Sequence, residues 1–294
     1  MDIWSENILV DKDEGWFVGA QHSAVFHVNF RTQEYELLSI LPSDELYGYE
    51  KYECCDKIDK VLYIFPRHID GNVLLIDLEG KLIQEIHLPN PEKKDINVVG
   101  TYAYNDKIYV MALGLHKIFV LDLKNNTVIR DYEIYKEVEI TDLNGNMIRK
   151  GENIYCTIPD SHIIYKLSLK DDSLDSFTIH GIEKGIHSFE TAGDIFWITS
   201  KSKCIYLWDE VKKSVVQFNA FPKEFGRYKF DQDHHLYLDT DTKFFSEGFF
   251  LKGVFLNGYL WVVPCCENKI LYLDMITLEI KVLDLIDEEE DAYT

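Results

Sequence analysis

This chain lacks positive charge. Its 30 Lys and Arg stand against 51 Asp and Glu, a formal net charge of −21. A phosphate backbone or an anionic bilayer is repelled by such a surface, so neither nucleic acid nor membrane is expected as a partner. Net charge does not forbid a local basic pocket for an acidic ligand. No apolar run approaches the roughly 18 residues needed to span a bilayer. The start, Met1-Asp2-Ile3-Trp4-Ser5-Glu6, has neither the basic nor the apolar stretch of a secretory leader. The expected location is the cytoplasm, where thiols stay reduced. The six cysteines, Cys54, Cys55, Cys156, Cys204, Cys265 and Cys266, contain no C-x-x-C spacing for zinc or redox work and read as buried thiols. Also missing are a G-x-S-x-G elbow, a Gly-rich phosphate loop, a dinucleotide fingerprint, an EF-hand and an H-E-x-x-H pair. Catalysis by a single local motif is therefore unsupported. Chemistry assembled from separate segments would leave no such motif.

What is present is a repeat. Six apolar runs end in a small polar residue: Asn29, Asp77, Asp122, Ser168, Asp209 and Asp274. Thirteen residues before five of them stands an aromatic, Trp16, Tyr109, Tyr155, Phe196 or Trp261; Tyr63 stands fourteen before Asp77. A repeat of this length marks a stacked or radial array, because no single unit buries its own apolar face. Each unit reads as four strands. Asn105-Asp106-Lys107 and Asn257-Gly258 supply turns in the third and sixth units, the latter pair being a strong hairpin signal.

The polar ends are spaced 48, 45, 46, 41 and 65 residues apart. The last gap exceeds the others by about 20 residues, too few for another four-stranded unit. It predicts an insertion over 221–247, outside the blades. The expected fold is all-β: a six-bladed β-propeller of four-stranded antiparallel blades, closed because both terminal units match the pattern as well as the middle ones. The blades are expected at about 1–42, 43–90, 91–136, 137–180, 181–220 and 248–286 of one domain spanning 1–294.

The apolar-apolar-Asp ending of the third segment resembles bacterial propeller repeats of the NHL, YncE and streptogramin-lyase type. In the fifth unit it reads Trp208-Asp209, as in WD40 repeats, with no Gly-His partner before it. Sialidase Asp-boxes are absent. The resemblance spans nearly the whole chain and implies a fold, since propellers host binders, scaffolds, lyases and hydrolases alike. In such folds the loops joining the second and third strands share a face with the ligand funnel. Four of these loops here hold a histidine: His22, His68, His116 and His162. Either they are separate polar loop residues, or two or three line a pocket. Histidine suits metal ligation and proton transfer near neutral pH.

Nine residues before the aromatic anchors stand Asn7, Cys54, Gly100, Asn146, His187 and Lys252. Small or polar groups at one repeated inner position suit a water-filled channel, and equally suit crowding near an axis. His187 is the candidate base or ligand. Lys252 would favour an anionic or carbonyl-bearing group, and Arg149 and Glu190 lie nearby in sequence. In the insertion, Asp233 and His235 would share one strand face and could hold a divalent metal; the other reading is an exposed acidic hairpin.

Two functions follow. The first is a binding module whose central funnel meets a small polar or anionic ligand, a peptide or a protein. The alternative is a metal-assisted lyase or hydrolase working in the same funnel. The streptogramin-lyase resemblance implies a divalent metal and a histidine base for that alternative, although the active-site motif of that family has no match in this chain.

Overall fold

The computed structural model describes residues 8–19, 23–42, 51–67, 69–134, 146–200, 202, 204–219, 221, 228–230, 236–238, 250–264, 269–274 and 276–284. The chain divides into two compact units, Met1–Lys136 and Glu137–Thr294.

The first unit holds three antiparallel sheets of four strands each. Blade 1 comprises β1 (Leu9–Asp11), β2 (Glu14–Val18), β3 (Ala24–Asn29) and β4 (Glu34–Ile40). Blade 2 comprises β5 (Tyr52–Ile58), β6 (Val61–Pro66), β7 (Asn72–Asp77) and β8 (Leu82–His87). Blade 3 comprises β9 (Val98–Tyr104), β10 (Lys107–Ala112), β11 (Lys117–Asp122) and β12 (Thr127–Glu133), with a 3-10 turn at Leu113–Leu115.

The second unit repeats the plan. Blade 4 is β13 (Asn146–Lys150), β14 (Asn153–Thr157), β15 (Ile163–Ser168) and β16 (Leu174–Thr178). Blade 5 is β17 (Ser188–Ala192), β18 (Ile195–Thr199), β19 (Ile205–Asp209) and β20 (Ser214–Phe218). A two-stranded sheet, β21 (Tyr228–Phe230) with β22 (Leu236–Leu238), lies within the insertion expected from the repeat spacing. Blade 6 is β23 (Phe250–Leu256), β24 (Tyr259–Pro264), β25 (Lys269–Asp274) and β26 (Ile280–Asp284).

The second and third strands of the middle blades are buried on both faces, which explains their unbroken apolar runs. In blade 2, Leu62, Ile64, Leu74 and Ile76 pack with Trp16 and Val25 of blade 1. The alternate residues Tyr63, Phe65, Val73 and Leu75 pack with Ile108, Val110, Phe119 and Leu121 of blade 3. Blade 5 divides its strands the same way. Phe196, Ile198, Tyr206 and Trp208 meet Tyr155 and Ile164 of blade 4, while Trp197, Ile205 and Leu207 meet Leu260, Val262, Leu271 and Leu273 of blade 6. Each such side chain contributes about 1.5–3 kcal/mol by burial, so these two-faced layers outweigh the exposed ion pairs.

The repeated polar residue works differently. It ends the third strand of every blade and, in five of them, holds the turn to the fourth. Asn29 Oδ1 accepts from the N–H groups of Arg31 (3.0 Å) and Thr32 (2.9 Å). Asp77 Oδ1 accepts from Glu79 and Lys81 at 3.0 and 2.8 Å. Asp209 accepts from Val211 and Lys212 at 3.0 and 2.9 Å, and Asp274 from Ile276 and Thr277 at 2.8 and 3.0 Å. These are Asx turns, in which a short side chain replaces a backbone acceptor. In blade 4, where the position is Ser168, the Asp171 carboxylate takes over, accepting from the Ser173 N–H and hydroxyl.

Between neighbouring blades the aromatic anchor reaches a polar group on the next blade. Tyr63 Oη donates to Asn126 Oδ1 at 3.4 Å, and Asn126 Nδ2 donates to Gln84 Oε1 at 2.9 Å. Tyr155 Oη donates to both Glu210 oxygens at 3.1 and 3.0 Å, and Lys166 Nζ meets the same carboxylate at 2.9 Å. Burial alone would raise the Glu210 carboxyl, but the hydrogen bonds from Lys166 and Tyr155 and the nearby ammonium charges outweigh it, and the net direction is down.

Two predictions follow from these contacts. Backbone N–H groups of Lys124, Lys212 and Thr277 are the first cause holding the Asp122, Asp209 and Asp274 carboxyls below the ordinary aspartate range. A depressed folded value means that the unfolded chain binds protons first as acid is added. The turns therefore contribute fully above the ordinary aspartate value and lose that contribution as pH falls through the folded one. Urea midpoints measured down through this range should fall less steeply for an Asp122→Asn, Asp209→Asn, Asp274→Asn triple variant than for the native chain. Separately, Glu210→Ala strips Tyr155 and Lys166 of their shared acceptor at a partly screened site. It should lower unfolding stability by about 1–2 kcal/mol, as read from urea midpoints.

Candidate functional site

Strand register decides which of the expected site residues are equivalent. In five blades the anchor stands two residues into the second strand and faces the residue seven before it: Trp16 with Leu9, Tyr63 with Asp56, Tyr109 with Tyr102, Tyr155 with Ile148 and Trp261 with Val254. In blade 5 that position belongs to Trp197, paired with Glu190, and Phe196 faces the preceding blade instead. The inner-strand position of Gly100, Asn146 and Lys252, opposite Met111, Thr157 and Val263, is therefore taken in blade 5 by Ser188, opposite Thr199. The Ser188 and Thr199 hydroxyls lie 2.6 Å apart. His187 precedes that position by one residue. It is 2% exposed, and its N–H donates to the Thr199 carbonyl at 2.8 Å.

The remaining expected residues occupy separate local settings. Glu190 Oε1 accepts from the Thr191 N–H at 2.8 Å. Arg149 stands at the hairpin end of β13, three residues from Asn146, and its Nε donates to the Gly151 carbonyl at 2.7 Å. His162 Nε2 donates to the Ile182 carbonyl at 3.0 Å. His116 closes the 3-10 turn in a left-handed conformation, φ 52°, and its N–H donates to the Leu113 carbonyl. Asn7, His22, His68, Asp233 and His235 lie outside the described residues, as do the side chains of Asn146 and Lys252. Among the described residues, no three His, Cys, Asp or Glu side chains gather as a metal site. Burial pushes the Cys156 thiol up to about 12, so it is not a nucleophile near neutral pH.

A different constellation opens on the first unit. A cavity of about 520 Å³ lies over the hairpin of β1 and β2, lined by Asp11, Lys12, Asp13, Glu14, Trp16, His27, Glu36, Lys57 and Leu78. That volume is in the range of small-ligand sites. Its wall is the cross-strand row Trp16, His27, Glu36, formed because β2 sets Trp16 opposite His27 and β3 sets His27 opposite Glu36. The His27 ring stacks on Trp16, centroids 5.3 Å apart and planes 24° apart. Its Nδ1 faces Glu36 Oε1 at 3.0 Å and its Nε2 faces Glu14 Oε2. The other Glu14 oxygen accepts from Asn29 Nδ2 at 2.8 Å. Both glutamates are thus positioned before any ligand arrives. The Lys57 ammonium stands 5.2 Å from the Trp16 ring centre and 2.6 Å from Asp11 Oδ2. A hydrogen bond from Lys57 and then its charge hold the Asp11 carboxyl below its usual range.

The same row reads Tyr63-Leu75-Gln84, Tyr109-Val120-Arg130, Tyr155-Lys166-Asp175, Trp197-Leu207-Val216 and Trp261-Tyr272-Lys281 in the other blades. Of the six, blade 1 alone sets an imidazole between the aromatic and a carboxylate. Sequence reasoning reached Trp16 and Asn29 but passed over His27. The signal was available: in an antiparallel pair the residue two before the turn residue faces the anchor.

No protein-family model matches the chain, and no curated protein matches it. Solved structures do. Virginiamycin B lyase from Staphylococcus aureus is 14% identical with a TM-score of 0.64, over 94% of this chain and 82% of that one. A streptogramin B lyase is 13% identical with a TM-score of 0.66, over 96% and 83%. The dihydro-heme d1 dehydrogenase NirN is 13% identical with a TM-score of 0.63, over 97% of this chain and 57% of that one. The fold is a six-bladed β-propeller. Identities this low carry the propeller architecture and not the chemistry of those enzymes.

Proposed function

We propose that this propeller is a binding module that takes a small polar ligand, or polar side chains of a peptide or protein, in the groove beside Trp16. One observation supports this reading above others: an open cavity of about 520 Å³ whose wall carboxylates are held by partners of their own. Positioned polar groups over an aromatic floor bind with less ordering of the receptor. In the same reading Asn146 and Lys252 mark the inner-strand positions where a ligand entering a central funnel would be met. A metal-assisted lyase is the second reading, which the fold shared with two lyases permits without supplying their chemistry.

Ligand-observed NMR with a panel of small amines, guanidines, carboxylates and phosphate esters tests the binding reading. Saturation transfer should appear for part of the panel and disappear in a Glu36→Lys variant, whose substituted side chain lies 69% exposed at the groove in the native chain. If no probe distinguishes the variant from the native protein, the groove is not the site. Turnover of a probe that starts only on adding a divalent ion would favour the lyase.

A further inference from the structure

The side chain already resting on Trp16 indicates what the groove recognises. The Lys57 ammonium has an aromatic face 5.2 Å from it and a carboxylate oxygen at 2.6 Å, and the side chain is only 17% exposed. Those are the two contacts that hold an organic cation: a π face replaces part of its hydration, and a carboxylate balances its charge. With Arg31 on Asp13 counted, the groove's four carboxylates exceed its three formal cations by one, before His27 is included. Asp11, Asp13, Glu14 and Glu36 stand against Lys12 and Lys57 along its wall. Asp13 also pairs with Arg31, and His27 faces both glutamates. The whole chain adds a field of the same sign, at −21, which raises the local concentration of cations and disfavours anions. In the fourth blade a lysine also stands over the anchor, Lys166 at 5.5 Å from the Tyr155 ring. There Glu210 closes the contact from the next blade. At Trp16 the contact opens on a cavity instead.

Resting on the binding reading above, we infer that the groove is a receptor for an organic cation, an alkylammonium or guanidinium group, and that Lys57 is a built-in occupant which such a ligand displaces. The tethered ammonium competes at a high effective concentration, so the native protein binds weakly and removal of Lys57 exposes the full site. Asp11, freed from Lys57, becomes the counter-charge of the ligand. Glu14 and Glu36, fixed through His27, supply the second carboxylate contact.

The test titrates tetramethylammonium and arginine methyl ester into the native protein and into Lys57→Ala, Asp11→Asn and Glu36→Lys variants, with acetate and inorganic phosphate as anionic controls. Calorimetry or ligand-observed NMR gives Kd. Lys57→Ala should tighten both cations about tenfold, the size expected when an aromatic face and a carboxylate are released together. Asp11→Asn and Glu36→Lys should weaken or abolish binding, and the anions should not bind. Equal or weaker cation binding by a folded Lys57→Ala protein would overturn the inference. If that variant does not fold, cation binding by the native protein that survives Glu36→Lys would do so. Anions binding where cations do not would remove the ligand class and leave the binding module standing; silence from every probe would remove both.

Discussion

Everything in this protein depends on strands that are buried on both faces. In blade 2, successive residues Leu62, Tyr63, Ile64 and Phe65 point alternately to blade 1 and blade 3. In blade 5, Phe196 and Trp197 divide the same way between blades 4 and 6. A single four-stranded sheet of this composition would expose one apolar face or both to water. Stacking removes that exposure, which is why the chain repeats. The repeat is the minimum description of a core made one layer at a time.

Two kinds of polar contact set the details of these layers. The Asx turns hold the third strand to the fourth within each blade and are local, made between residues a few positions apart. The aromatic anchors act between blades, and their polar partners vary: Asn126 for Tyr63, Glu210 for Tyr155 and Lys57 for Trp16. The anchors are large and buried, so burial supplies most of their stabilisation. The partner at the rim is thereby left open to change. Blade 1 uses that freedom to combine an imidazole, two glutamates and a lysine around one indole.

The geometry of that groove depends on a small irregularity. The pairing of β3 with β4 shifts by one residue between Val25 and Phe26, so Val25 faces Ser39 while Phe26 faces Leu37 and His27 faces Glu36. Without the extra residue His27 would face Leu37, and Glu36 would point to the other side of the sheet. One inserted residue therefore separates a histidine held between two carboxylates from a histidine beside a leucine.

By itself the sequence determined the blade count, the four-strand plan and the turn residues. Those features are local or periodic, and the polar residue that ends the third strand recurs in every copy. The spacing misled in blade 5. There the anchor stands ten residues before its partner on the third strand, Trp197 before Leu207, against eleven or twelve in the other blades, so the register puts the anchor at Trp197 and Ser188 at the inner position assigned to His187. The groove was decided by tertiary structure. Lys57 reaches Asp11 across 46 residues, and Glu36 meets His27 only through a bulge. Neither relation leaves a motif, because side chains from separate strands meet through packing and register rather than through proximity along the chain.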